Sequence, residues 1–255
     1  MSTSHKERAA SPPDPWWSRG RRAVSLDLLR RQLASGEAKR ALVLGAGAEA
    51  LCAELKPLCQ EVRCLEAGSV SQLEERQGPL PFEDERFDLI CALDVLSEAA
   101  DDSALICELR RILSPEGLLL LAVPAHPWLY SDDDEGPRRR YTRRSLAKLL
   151  TECELTTERN TYANSLLFAL MAPATLAARL VDVPNERHLP IPRLADELCY
   201  QAFAAERFLS RHVDLPLGQT LVAIARRRES TGWLKPARAR ESILPKLGRV
   251  QTACC

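Results

Sequence analysis

The segment Leu42-Val43-Leu44-Gly45-Ala46-Gly47-Ala48-Glu49-Ala50 constrains this chain more than any other stretch. A short apolar run stops at G-x-G, and a helix-forming stretch begins with no intervening loop. A buried strand that feeds straight into a helix is the opening unit of a parallel, doubly wound sheet. Glycine at such a bend lets the backbone turn tightly and lets a ligand approach it, while the helix start offers free N–H groups with a positive partial charge. Glu66 follows nineteen residues beyond Gly47, at the end of the next strand-like run, Glu61 to Leu65. A carboxylate there can accept both hydroxyls of a ribose. The pattern predicts a nucleoside ligand in preference to a plain structural turn. As G-x-G-x-x-A with Glu66 it suits NAD or FAD, and as G-x-G with a following acid it suits S-adenosylmethionine. The bend itself does not choose between them.

The remaining pattern agrees with the bend. A helix is predicted from Trp16 to Gly36, a strand over Arg40 to Leu44, and a helix from about Glu49 to Leu58. Phe87 to Leu93 is a strand, about Ser103 to Leu113 a helix, Ser114 to Gly117 a turn, and Leu118 to Val123 a buried strand closed by Pro124. Strands alternating with helices at these lengths give an α/β fold, a Rossmann-like, doubly wound, mostly parallel sheet covered on both faces. Farther on, 143–152 is predicted helical, Leu155 to Tyr162 extended, Ser165 to Leu180 and Pro192 to Arg211 helical, and Gly218 to Ala225 a final strand. The domain organisation expected is a disordered leader over 1–15, one domain over 16–228 with a helical insertion at about 164–212, and a basic flexible tail over 229–255.

Charge and cysteine usage exclude several classes. Lys plus Arg and Asp plus Glu are balanced at 35 each, so no bulk charge points to a nucleic-acid partner. Residues 1–40 carry nine basic against four acidic side chains, and 226–255 carry eight against two, which leaves an acidic middle between basic tails. The nine cysteines are scattered with no C-x-x-C pair and several lie inside apolar runs, so buried reduced thiols in a cytoplasmic protein are expected. The longest apolar stretch, Leu166 to Val181, contains Pro173 and Arg179 and is too short to span a bilayer, so no transmembrane segment is expected.

Three stretches carry a family resemblance. Leu80-Pro81-Phe82-Glu83-Asp84-Glu85-Arg86-Phe87-Asp88-Leu89-Ile90, then Leu93-Asp94-Val95-Leu96, then Glu108-Leu109-Arg110-Arg111-Ile112-Leu113-Ser114-Pro115-Glu116-Gly117-Leu118-Leu119-Leu120, resemble consecutive segments of class I S-adenosylmethionine-dependent methyltransferases. Pro15-Trp16-Trp17-Ser18-Arg19-Gly20-Arg21-Arg22, Val123 to Asp132, Arg139-Arg140-Tyr141-Thr142 and Pro216 to Leu221 are similar to a type 11-like subgroup with a Trp-Trp amino-terminal helix. The resemblance runs from about Trp16 to Arg227 and implies the seven-stranded methyltransferase fold. It implies S-adenosylmethionine as cofactor, with its methionyl end against Gly45, Ala46 and Gly47, its ribose on Glu66 beside Ala67, and its adenine near Leu80, Leu93 and Asp94.

The chain departs from that family at ligand-facing positions. Val43 stands where an acid precedes the first glycine, and Glu49 where a third glycine is usual. Glu49, in the first turn of a helix, is placed either to meet the cofactor's ammonium or to fill the space that a glycine would leave for the ligand. The implied function is methyl transfer to a small-molecule or lipid-linked acceptor. The alternative is a degenerate methyltransferase-fold protein that serves as a binding or partner subunit, and a protein partner stays open. No catalytic residue transfers from the family. His126, Tyr130 and Tyr141 are candidates because they follow the fifth strand of that fold, and Arg139 and Arg140 are candidates for an anionic group on the substrate. The acidic run Asp132 to Glu135 is read as solvated, and no metal site is predicted. Trp16 and Trp17 are placed either as a lid over the cleft or, for at least one ring, in the core.

Overall fold

The computed structural model describes residues 14–33, 38–45, 47–65, 79–127, 139–180, 192–210 and 212–227. The expected leader, apart from its last two residues, and the expected tail lie outside them.

Among the described residues, β1 (Arg40–Gly45), β2 (Glu61–Leu65), β3 (Phe87–Leu93), β4 (Leu113–Pro124), β5 (Leu155–Ala163) and β6 (Thr220–Arg227) form one sheet in the order β2-β1-β3-β4-β6-β5. The first four run parallel, and β6 lies antiparallel to both β4 and β5. The helices are α1 (Trp16–Gln32), α2 (Ala48–Leu55), α3 (Val95–Glu98), α4 (Asp102–Ile112), α5 (Arg143–Glu152), α6 (Ser165–Leu180) and α7 (Arg193–Ser210). The last two stand between β5 and β6.

The central strands are apolar on both sides because both sides are covered. Leu42, Leu44, Ile90, Leu119 and Leu121 pack on one face with Ile106 and Leu109 of α4 and Leu146 and Leu150 of α5. The alternating set, Ala41, Val43, Leu89, Cys91 and Leu120, packs on the other face with Leu28 of α1, Leu51 of α2 and Phe203 of α7. Period-two alternation with burial on either side is what a doubly wound sheet requires. Val43, at the position where the family carries an acid, therefore belongs to this core and is fully buried.

Local chemistry sets the helix ends. The Asp101 side chain accepts from Ala104 N at 3.0 Å to cap α4, and Thr142 and Ser145 form a reciprocal capping box at the start of α5. Residues 114–117, expected as a turn ahead of the strand, lie within β4. Phe87 pairs with Leu113 but Leu89 pairs with Leu118, so the four residues between bulge out of the ladder, with Glu116 at a φ of +62°. The short helix α3 has too few residues to leave a periodic signal and was not expected.

The expectation of reduced thiols throughout needs correction. Cys52 on α2 and Cys64 on β2 form a disulfide, their Cα atoms 6.4 Å apart. The pairing arises because α2 folds back onto β2 and brings together two residues twelve apart in sequence. Cys59, Cys91, Cys107, Cys153 and Cys199 are free.

Candidate functional site

The strand order reverses between β1 and β3, so the connections leave these two strands in opposite directions and a crevice opens beyond their carboxyl ends. The glycine bend sits there. Gly45 has φ +101°, and a Cβ on it would stand 1.9 Å from the Leu93 carbonyl oxygen. The ends of β1 and β3 can approach this closely only with hydrogen at that position. Gly47, at φ +77°, precedes α2 as its N-cap and is exposed. A Cβ there would meet Ser18 Oγ at 3.2 Å and Arg22 Nη1 at 3.8 Å. The bend therefore faces the amino-terminal helix α1.

Beside it lies a cleft of about 240 Å³. Its walls come from α1 (Trp16, Trp17, Arg21), from the ends of β3 and β4 and from α3 (Asp94, Pro124, Ser97), and from the β5–β6 side (Asn164, Gln219, Thr220), with Phe203 of α7 and Arg140 completing it. Trp16 has the core-packing role. It is nearly buried, meets Phe203 edge-on with centroids 6.4 Å apart, and also borders the cleft. Trp17 is 43% exposed and lies over the Arg21 guanidinium at 5.3 Å.

Arg21 and Asp94 are the charged pair at the cleft. Arg21 is 3% exposed and ion-pairs with Asp94 through Nη1, while its Nε and Nη2 have no hydrogen-bond partner among the described residues. Asp94 holds a left-handed backbone, φ +60°, just past β3. Its N–H donates to the Ala122 carbonyl at 2.8 Å, and its own carbonyl accepts from the Ser97 hydroxyl at 2.6 Å. A strained non-glycine residue at a strand end is held only where its surroundings fix it, and such residues gather at functional sites. On the opposite wall, Asn164 donates from Nδ2 to Gln219 Oε1 at 2.8 Å, while its own Oδ1 is buried with no partner among the described residues.

The sequence-predicted residues distribute as follows. Asp94 and Arg140 line the cleft, and Gly45, Gly47 and Leu93 form the bend beside it. Leu93 is fully buried and does not line the cleft. Glu49 is exposed in the first turn of α2 and is not among the cleft-lining residues. Leu80 is held through its backbone, its N–H on Glu108 at 3.1 Å and its carbonyl on Arg111 at 3.1 Å. Ala46, Glu66, Ala67 and Tyr130 lie outside the described residues, as does the acidic run Asp132 to Glu135.

Arg139 donates to the carbonyls of Ala99 at 2.7 Å and Ala100 at 2.6 Å, which ties its segment to the chain between α3 and α4. Tyr141 is buried. Its hydroxyl donates to the Asp102 carboxylate at 2.9 Å, with the Leu96 carbonyl a second acceptor at 3.1 Å. Burial first, and Asp102 second, raise its pKa far above the usual phenol value, so it keeps its proton. His126 stacks between Tyr162 and Phe168, with centroids at 5.1 and 5.0 Å. Burial lowers its pKa, a bond to the Gly218 backbone works against that, and nearby Arg140 adds to the lowering. It does not border the cleft.

Ser18, Arg21, Arg22 and Asn164 are site residues that reasoning from the sequence did not single out individually. Only their place in a matching segment, or just past a strand, could have marked them.

The sheet order, the glycine bend at its switch point and the antiparallel last strand define a class I S-adenosylmethionine-dependent methyltransferase fold. Residues 16–121 match the model of the methyltransferase-domain family. Among solved structures it is similar to a proposed sarcosine dimethylglycine methyltransferase from Galdieria sulphuraria (TM-score 0.52, 16% identity, 83% of this chain and 86% of that one). It is also similar to the [4+2]-cyclase SpnF (TM-score 0.50, 16% identity, 83% of this chain and 82% of that one). At such identities the likeness is one of fold. No curated protein matches the chain.

Proposed function

We propose that this chain transfers a methyl group from S-adenosylmethionine to a small-molecule or lipid-linked acceptor held in the cleft beyond β3 and β4. The observation that carries this reading is adjacency: Leu93 closes against the glycine bend, and the next residue, Asp94, is a wall of the cleft. Donor and acceptor positions so placed share one boundary. Near-attack positioning is the main demand of methyl transfer.

The residues present fit the donor's methionyl end. Gly47 presents no side chain at the N-terminus of α2, where N–H groups favour a carboxylate, and the guanidinium of Arg22 beside it is held by Asp14, by Glu54 at 3.2 Å and by the Ser18 hydroxyl at 3.2 Å. Glu49, exposed in the same turn, is placed for the ammonium. We assign the ribose to Glu66 beside Ala67, and the adenine to Leu80 and to the Leu93–Asp94 edge. When bound, the cofactor supplies a methyl group already activated by its sulfonium. Arg140 addresses the acceptor directly, and Arg139 acts by anchoring the segment that carries it. A general base is needed only if the acceptor atom must lose a proton. Tyr141 keeps its own proton and His126 is packed between rings, so neither is assigned that role. We place the reaction in the cytoplasm, where the five free cysteines among the described residues persist as thiols; the Cys52–Cys64 bond is the feature least at home there.

Thermal-shift titration with S-adenosylmethionine, S-adenosylhomocysteine, NAD and FAD tests the reading. The first two should stabilise the chain by about 2.7 kcal/mol at a hundredfold excess over their dissociation constants. A response to NAD or FAD would contradict it, and silence toward all four would favour a non-catalytic subunit.

A further inference from the structure

Cys107 on α4 and Cys153 at the C-cap of α5 are 46 residues apart in sequence, yet their sulfur atoms stand 3.1 Å from one another. That is about 1 Å beyond the S–S bond length of about 2.05 Å. The Cys107 thiol donates to the Cys153 sulfur, which in turn donates to the Ser103 carbonyl at 3.6 Å. The two residues differ sharply in access: Cys107 is exposed and Cys153 is buried. Burial, then the contacts with Cys107, push the Cys153 thiol up to about 12. The thiolate is the reactive form, so the inner cysteine is a poor first target for an oxidant and the outer one meets it first.

We propose that Cys107 and Cys153 form a peroxide-sensitive dithiol, with Cys107 as the attacking sulfur and Cys153 as the resolving one. In the first step the Cys107 sulfur attacks one oxygen of hydrogen peroxide. The O–O bond breaks, Cys107 becomes a sulfenic acid, and one water leaves with the second oxygen. In the second step the Cys153 sulfur displaces the hydroxyl from the Cys107 sulfur, the S–S bond forms, and a second water carries away the Cys153 proton. Two thiols give up two electrons and two protons, and the peroxide is reduced to two waters.

The bond would tie α4 to the far end of α5. Asp102 at the head of α4 accepts the Tyr141 hydroxyl, and α5 begins at Arg143. The segment that brings Arg140 to the cleft is thus held by the same two helices that the bond would fasten together. The proposal does not depend on which donor or acceptor the cleft takes.

The test uses the full chain, reduced with a phosphine, desalted, treated with a small excess of hydrogen peroxide in the presence of dimedone, blocked with N-ethylmaleimide and mapped by mass spectrometry. The expected result is a linked pair of peptides containing Cys107 and Cys153, lighter by two hydrogens than the two thiol peptides. C153S should stop at the sulfenic acid and carry dimedone on Cys107. C107S should leave Cys153 a thiol at the same dose. The proposal is overturned if wild-type Cys107 carries dimedone as C153S does, if it links to another cysteine or a second copy, or if Cys153 oxidises equally in C107S. The wild-type map alone decides the matter should either variant misfold.

Discussion

At Gly45 a methyl group would press within 1.9 Å of the Leu93 carbonyl oxygen, in a backbone conformation, φ +101°, that L side chains rarely adopt. Gly45→Ala should therefore cost about 3 kcal/mol or more, because steric overlap and left-handed strain act together; urea denaturation measures it. Tyr141 presents a different case. Its hydroxyl bond to Asp102 holds the chain after β4 rather than chemistry in the cleft. Tyr141→Phe should lower stability by about 1.5–3 kcal/mol, the range for a bond to a charged acceptor, and leave S-adenosylhomocysteine affinity unchanged by calorimetry. Loss of binding without loss of stability would move Tyr141 into the site. Gly45 and Gly47 were legible in the sequence because a strand-to-helix bend makes a demand on the backbone that few residues meet. The Arg21–Asp94 pair was not. It joins residues 73 apart through a tertiary contact, and no period or spacing announces such a meeting.

Between helices, α7 packs closely on α1. A Cβ on Gly20 would fall 2.3 Å from the Phe203 ring, and that ring also fills the space beside Trp16. Phe203→Ala should destabilise the chain by about 3–5 kcal/mol and loosen one wall of the cleft, both readable in thermal unfolding. α6 is tied to α7 by Glu206, whose buried carboxylate accepts the Leu166 N–H at 2.7 Å. Burial raises its pKa, and bonds from the backbone N–H groups of residues 164–166 only partly offset that. The folded state therefore holds this proton more tightly than the unfolded chain does. Stability from this group is greatest below the ordinary value of 4.5 and falls as pH rises from there through the raised folded value. Denaturation midpoints across that window should show the decline in wild type and a flatter profile in Glu206→Gln. The long elements were predictable from apolar alternation and helical spacing. What escaped were α3, four residues long, and the excursion at 114–117, where β4 makes one early pair at Leu113 before the regular ladder resumes. Tertiary pairing overrode the local turn signal of Ser114-Pro115-Glu116-Gly117.

For the whole molecule, the arrangement of the site follows from connectivity. The sheet reverses order between β1 and β3, which opens the crevice, and α1 and the α6–α7 insertion meet over it to bound the cleft. Among the described residues no helix is long and apolar enough to cross a membrane, yet exposed leucines crowd α6 and α7. The sequence pattern carried this architecture because alternating strands and helices permit few topologies. It could not carry the shape of the cleft, whose lining residues range from Trp16 to Thr220.

The most direct test is calorimetric titration of the full chain with S-adenosylhomocysteine, repeated on Gly47→Val. A branched side chain at this exposed bend would fill the space assigned to the methionyl end; it also strains a backbone at φ +77° and meets Ser18 Oγ at 3.2 Å, so the comparison is made on a variant shown to be folded by thermal unfolding. The account predicts saturable one-to-one binding to the wild-type chain and none to a folded Gly47→Val. Equal binding by both would contradict the placement of the nucleoside at this bend, and absence of binding to wild type would contradict the methyl-transfer account itself.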